Sequence, residues 1–397
     1  MRLTRHGFTA AGLLVLAPVA IFACSSSSKP ASTTSTAKAT TPIRIGLEGP
    51  LTGSQKATGI GMLEGARMAA ELLNQRGGIL GRRVDIVPID DQADPEIGDK
   101  AAKAAIKSGL DGVVGPYNSG AGLKTLPRYL EAGLVPIRLT SSDETAGMGF
   151  TLQPMTSQIA PVATDAVSKW LGAKSAAIIF DSTQAYTKAA AVKMKELLTM
   201  AGVRITASEA IQPGANSYAS TVAKVAATKP DVIYVDTYYP EGGLIAKAMY
   251  DAKTPAKCLA DYGAYDNGFI AAAGLAAARN CPVVGVPAPS DFPGSASLLA
   301  TFDELYNYEV PNGWAPYAYD SVNILAAAAT AARGFAAEPL TAALDDIKNW
   351  KGWTGTVGGF EAETGNRTPA SITVDRPDAK GTYHVDARWA AATHFAY

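Results

Sequence analysis

The sequence predicts an α/β protein built as two doubly wound parallel-sheet lobes. Three observations predict it. Short apolar runs alternate with amphipathic helical stretches from Ile43 onward. The alternation restarts after Gln158 and gives a second half of similar size. At 397 residues the chain is long enough for two hydrophobic cores.

The first half opens with the strand IRIGLEG from Ile43. A helix over 59–76 follows, with Met62, Ala66, Ala69, Leu72 and Leu73 on one face, and the glycines of RGGIL stop it. Next come the strand RRVDIVPIDD, a helix over 97–108, the strand GVVGP, a helix over 120–131 and the strand LVPIRL. Asp94-Pro95 reads as a helix start rather than an acidic site. GIGMLEG has the wrong glycine spacing for a dinucleotide fingerprint, and reads as a glycine-rich helix start that packs closely. In the second half, helices over 159–171, 186–201, 218–228 and 242–252 alternate with SAAIIFD, VRITAS, DVIYVDT and KCLAD. Two more helices are expected, over 317–333 and 340–348, before a tail of turns and strands.

The N-terminus stands apart. Arg2 and Arg5 precede an apolar run from about Ala10 to Ala23, as in a secretory signal, and the run is too short to span a membrane comfortably. It ends in IFAC, which resembles a bacterial lipoprotein cleavage box. Residues 1–23 are therefore expected to be removed, with Cys24 lipidated and residues 24–42 a Ser/Thr-rich tether to an extracytoplasmic body. Loss of Arg2 and Arg5 takes the net charge from −1 to −3, and no basic stripe suggests nucleic acid. Cys258 and Cys281 remain. An even pair in an oxidising compartment reads as a disulfide rather than a metal or redox site.

Two successive strands of the first half end alike, in YNSGAG and TSSD. DSTQAY, DTYYPE and DYGAYD leave equivalent strand ends in the second. Open parallel sheets bind ligands at the carboxyl ends of their strands, so a cleft lined by hydroxyls, rings and a few carboxylates is expected. Ser119 and Gly120 begin a helix whose free N–H groups favour an anion; a carboxylate fits, and a P-loop lysine is lacking. Tyr238 and Tyr239 directly follow a strand and suit a ligand wall. Tyr317 and Tyr319 suit a hinge, whereas Trp353 and Phe360 read as packing. Catalytic signals are poor: His6 leaves with the signal, His384 and His394 lie near the C-terminus, and H-E-x-x-H, G-x-S-x-G and paired-Cys zinc spacings are absent. No catalytic residue, metal or cofactor is expected.

GARMAAELLNQRGGILGRRVDIVPIDDQADP is the most specific stretch, and VVGPYNSGAG, VPIRLTSSD, FDSTQAY and YPEGGLIAKA follow it in order. From Ile43 to about Phe360 the sequence resembles the type I periplasmic solute-binding proteins of the branched-chain amino acid ABC transporter class. The resemblance implies a monomeric hinged clamp with three crossovers, delivering a solute to an ABC permease. Lobe one would comprise 43–157 and 286–352, and lobe two 158–285 and 353–397. By position, Ser119 and the backbone from Gly120 would hold a ligand carboxylate, with help from the Ser142 amide. The Thr140 carbonyl and Ser142 hydroxyl would meet an ammonium, and Tyr186 and Tyr238 would close from lobe two.

Three departures from the family pattern stand out. The acidic position for the ammonium reads Tyr262, with Asp261 next door and Asp236 near as substitutes. An aromatic wall of the first loop falls near Thr58. The lobe-one disulfide positions read Ala93 and Asn118. The implied ligand is a branched-chain or other amino acid, with an amide, a urea-like compound or an aromatic acid as alternatives. A sensor on the same fold, and last a hydrolase, are the alternative functions.

Overall fold

β1 (Ile43–Gly49) is apolar because both of its faces are covered: Ile43, Ile45 and Leu47 are fully buried. It pairs with β2 (Val84–Asp90) and β3 (Gly112–Val114). With β4 (Pro136–Arg138) and β5 (Phe150–Thr151) it makes an all-parallel sheet of order β2-β1-β3-β4-β5. The computed structural model describes residues 41–307 and 311–395. The expected signal, Cys24 and the tether up to residue 40 lie outside the described residues. The last two expected tether residues already belong to the body, since the Arg82 guanidinium binds the carbonyls of Thr41 and Pro42.

Helices α1 (Lys56–Gln75), α2 (Pro95–Lys107) and α3 (Ser119–Glu131) join these strands. Asp94 caps α2 through the amides of Glu96 and Ile97, with Pro95 in the first turn, as its sequence indicates. The glycines of α1 are packing residues. A Cβ on Gly59 would stand 2.2 Å from the Pro50 carbonyl oxygen, and one on Gly65 would stand 2.1 Å from that of Ala315.

The second half begins with α4 (Thr156–Asp165), which ends in a wider π turn over Ala166–Trp170. There follow β6 (Ser175–Asp181), α5 (Ala185–Met200), β7 (Arg204–Ile211), α6 (Ala219–Ala226), β8 (Val232–Asp236), α7 (Tyr239–Asp251) and β9 (Lys257–Ala260). Two short helices missing from the sequence reading, α8 (Asn267–Ala273) and α9 (Leu275–Asn280), precede β10 (Val283–Gly285). Gly274, at φ 76°, breaks them into pieces too short to show a helical period. Strands β7-β6-β8-β9-β10 repeat the order of the first sheet. A disulfide joins Cys258 in β9 to Cys281 after α9, with 4.7 Å between Cα atoms.

The chain then returns to the first lobe through α10 (Ala296–Tyr306), α11 (Ala315–Ala332) and α12 (Ala337–Asp345). Helices α10 and α11 pack on α1, and α12 packs on α11. Two hairpins follow: β11 (Trp350–Gly352) with β12 (Gly355–Val357), and β13 (Gly359–Phe360) with β14 (Arg367–Thr368). The expected transfer to the second lobe at residue 353 needs correction. Phe360 stacks edge-on against Phe150 at 5.1 Å, and Arg138 donates to the Thr364 carbonyl and Asn366 Oδ1, so 359–368 lean on the first sheet. Only afterwards do β15 (Thr373–Pro377) and β16 (Tyr383–Val385) add to β10, both antiparallel, so the second sheet is mixed rather than purely parallel. α13 (Ala387–Thr393) ends the described chain. Trp353 is packing, as expected: it is buried against Tyr319, and its Nε1 donates to the Pro289 carbonyl.

Candidate functional site

In a sheet of order 2-1-3-4-5 the connections change direction between the first and third strands, leaving a crevice at their carboxyl ends. Both sheets have this order, and their crevices meet face to face. The first lobe contributes Tyr117 and Ser119 beyond β3 and Ser141 beyond β4. The second contributes Tyr186 at the start of α5, Tyr238 beyond β8, and Tyr262 with Gly263 beyond β9. They enclose only about 10 Å³, roughly the room one water needs, so the walls stand closed on each other.

One side of the pocket has the chemistry to attract an anion. α3 starts at Ser119 with no side chain capping its first turn, so its free N–H groups and dipole face the cleft. Ser119 Oγ accepts a 3.1 Å hydrogen bond from the Ser142 amide, which ties the ends of β3 and β4 together. The other walls are aromatic. Tyr238 lies 6.1 Å from Tyr117 across the cleft and 6.3 Å from Tyr186, and Tyr186 lies 6.5 Å from Tyr262, all at tilted or edge angles. Trp314, fully buried at the start of α11, supports Tyr262 at 5.1 Å and Tyr117 at 5.6 Å from behind. Burial pushes the pKa of Tyr117, Tyr186, Tyr238 and Tyr262 further up, so these walls stay uncharged at neutral pH.

The lobes are closed on each other. Thr58 Oγ1 donates to Asp266 Oδ2 at 2.7 Å, and the Tyr239 hydroxyl donates to the Ser54 carbonyl at 2.9 Å. Thr58, at the position of the expected first-loop wall, thus reaches the opposite lobe.

Several expected site residues face elsewhere. The Thr140 hydroxyl pairs with that of Thr145 at 2.7 Å, and Ser142 Oγ accepts from the Glu144 amide, so neither hydroxyl lines the pocket. Ser141, between them, lines it instead. Gly120 stands behind Ser119 in the first turn of α3. The two candidate ammonium partners lie inside the second lobe. Asp261 accepts from the Tyr186 hydroxyl at 2.8 Å, from the Tyr234 hydroxyl and from the Gly263 amide, so it braces the wall from inside the lobe. Asp236 is fully buried behind it, and neither of its oxygens accepts a hydrogen bond from a protein donor. Burial and the nearby Asp261 and Asp181 hold the Asp236 carboxyl well above the usual carboxylate range. Burial raises the Asp261 carboxyl too, while the hydroxyls of Tyr234 and Tyr186 and the Gly263 amide oppose the rise. The sequence reading did not single out Tyr117, Ser141, Gly263 or Trp314.

Among the described residues, no helix is long and apolar enough to cross a membrane, and no His, Cys, Asp and Glu cluster could hold a metal. A family model described as periplasmic binding protein matches residues 42–378. The chain belongs to this periplasmic binding protein family. Its relatives include the Leu/Ile/Val-binding protein BraC3 of Rhizobium johnstonii, 31% identical over 344 residues, which cover 85% of this chain and 92% of the relative. Among solved structures, the fold is shared with the Thermotoga maritima leucine binding protein LivK (TM-score 0.79, 22% identity, 87% and 98% of the two chains). It is shared too with a solute binding protein of an ABC transporter from Rhodopseudomonas palustris BisB5, in complex with 3,4-dihydroxybenzoic acid (TM-score 0.74, 18% identity, 87% and 96%). Within this periplasmic binding protein the site lies between two lobes that each carry half of its walls.

Proposed function

We propose that this chain is the extracytoplasmic substrate-binding component of an ABC importer, anchored through a lipid on Cys24, that closes on a small carboxylate-bearing solute and passes it to a permease without changing a bond. One observation carries the reading: the uncapped start of α3, with Ser119, faces aromatic walls borne by the other lobe. A ligand that touches both lobes favours the closed state, and a partner that recognises closure then reads occupancy. Ligands named for the relatives, whether leucine, isoleucine and valine or 3,4-dihydroxybenzoic acid, all carry a carboxylate. Leu/Ile/Val binding by BraC3 supports an amino acid as one class of solute.

Thermal unfolding of the purified protein against a panel of small acids, amino acids, amides and ureas tests this. A carboxylate that binds the native state raises the midpoint by mass action, and Ser119→Ala should abolish the rise, while the unliganded midpoint falls somewhat because the buried Ser142 amide loses its acceptor. A rise with uncharged amides alone would reject the anion site.

A further inference from the structure

A second cavity, of about 630 Å³, lies where the chain crosses between the lobes. That volume is within the ~300–1,000 Å³ range of small-molecule sites, which favour junctions between domains. Among the described residues, the second lobe supplies Tyr265, Asp266, Ile270 and Tyr383 to its walls. The crossing chain supplies Ala288 and Pro289. The side packed on α1 supplies Leu299 and Asp303 of α10, and Gly313 just before α11. None of these residues lines the pocket of the cleft.

Two buried rings stand together in this wall, Tyr265 and Tyr383, with centroids 5.0 Å apart. Trp314 holds Tyr265 edge-on at 5.7 Å. The Tyr383 hydroxyl is buried and has no hydrogen-bond partner. Two carboxylates line the same space. Asp266 accepts from the Gly268 amide at 2.8 Å and from Thr58 at 2.7 Å. Asp303 is half-buried, and its carboxylate has no partner among the described residues. Among the described lining residues Lys380 alone is basic, and it is exposed on the β15–β16 turn.

These walls select by charge. An organic anion meets Asp266 and Asp303 and is repelled. A hydrocarbon leaves the Tyr383 oxygen without a donor. A protonated amine satisfies both groups: its N–H groups donate to carboxylate and phenol oxygens, and its charge is attracted to ring faces. Its hydrocarbon body covers Ile270, Leu299 and Pro289. Burial raises the Asp266 carboxyl, while the Gly268 amide and the Thr58 hydroxyl oppose the rise. An ammonium beside it favours the charged form further.

We propose that this cavity is a second ligand site, separate from the cleft, which takes a small protonated amine with an apolar body: the ammonium at Asp266 and Asp303, the body against Tyr265, Tyr383 and Leu299. The assignment stands whether or not the cleft binds a carboxylate.

Calorimetric titration of the purified protein with 2-phenylethylamine, 2-phenylethanol and 3-phenylpropanoate tests this. The amine should bind at least about tenfold more tightly than the alcohol, and the acid more weakly than either. Asp303→Asn keeps the shape of the side chain and should weaken the amine by about tenfold. Ala271→Trp, at an exposed position of the wall, should fill the space and abolish binding. Ser119→Ala, in the cleft, should leave the amine bound as before. Equal or tighter binding of the alcohol or the acid overturns the proposal, as does amine binding that is unchanged in Asp303→Asn or survives in Ala271→Trp. Amine binding that is lost in Ser119→Ala belongs to the cleft and overturns it too. No binding of the amine overturns it outright and leaves the reading of the cleft untouched.

Discussion

Thr58 Oγ1 and Asp266 Oδ2 meet 2.7 Å apart across the cleft, both buried, with 208 positions between them in the chain. The contact forms only when the lobes are shut. Thr58→Val keeps the shape and deletes the donor, leaving a buried carboxylate oxygen short of a partner at a cost of about 1–3 kcal/mol. Ligand affinity should fall by about tenfold or more, because that cost falls on the closed state. Titration of the ligand reads the loss.

Asp91 and Glu48 are fully buried near each other in the first lobe, and burial raises both carboxyls, Asp91 to about 7. A raised folded value means that the native state holds protons the unfolded chain has released. The stabilisation is complete below the unfolded value of 3.8 and is lost as pH rises through about 7. Asp91→Asn can keep the 2.8 Å acceptor for the Ala93 amide and removes the titration. Melting midpoints between pH 5 and 8 should fall less steeply in the variant than in the parent.

Gly65 lets α1 touch the start of α11. Gly65→Ala must push a methyl against the Ala315 carbonyl, where backbone cannot yield cheaply. A destabilisation of about 1–3 kcal/mol is expected, seen as a lower urea midpoint with unchanged slope. A fall in affinity of the same size would show instead that α11, with Trp314 at its head, had moved.

The Cys258–Cys281 bridge closes a loop of 23 residues in the second lobe. Reduction, or Cys258→Ser with Cys281→Ser, should lower stability by about 2–4 kcal/mol. Ligand binding should persist in the reduced protein, since the pair lies away from the pocket walls.

Much of this arrangement was legible in the chain because parallel sheets put their loops on one edge. The strand ends at 117–119, 140–142, 181–186, 236–238 and 261–262 could be assigned to the cleft from alternation alone. The direction of individual side chains could not. Neighbouring residues in extended chain point to opposite sides, so an error of one position exchanges a wall for an interior. Ser141 lines the pocket between Thr140, expected there through its carbonyl, and Ser142, and Tyr262 lines it beside Asp261, whose carboxylate turns inward to Tyr186 and Tyr234. Trp314 was hidden for a different reason. It comes from a distant segment, and only the packing of α11 on α1 brings it beneath Tyr117 and Tyr262.

The second sheet ends in strands drawn from the last part of the chain: β15 and β16 pair onto β10 from Thr373 onward. A chain made from its N-terminus therefore cannot finish this lobe until almost every residue has emerged. The first sheet, complete by Thr151, can assemble long before. The first lobe also waits, for α10–α12 and residues 359–368, so the binding surface exists only after the late part of the chain has completed both halves of the clamp. A truncation that removes β15 and β16 strips a core edge from one jaw rather than trimming a dispensable tail.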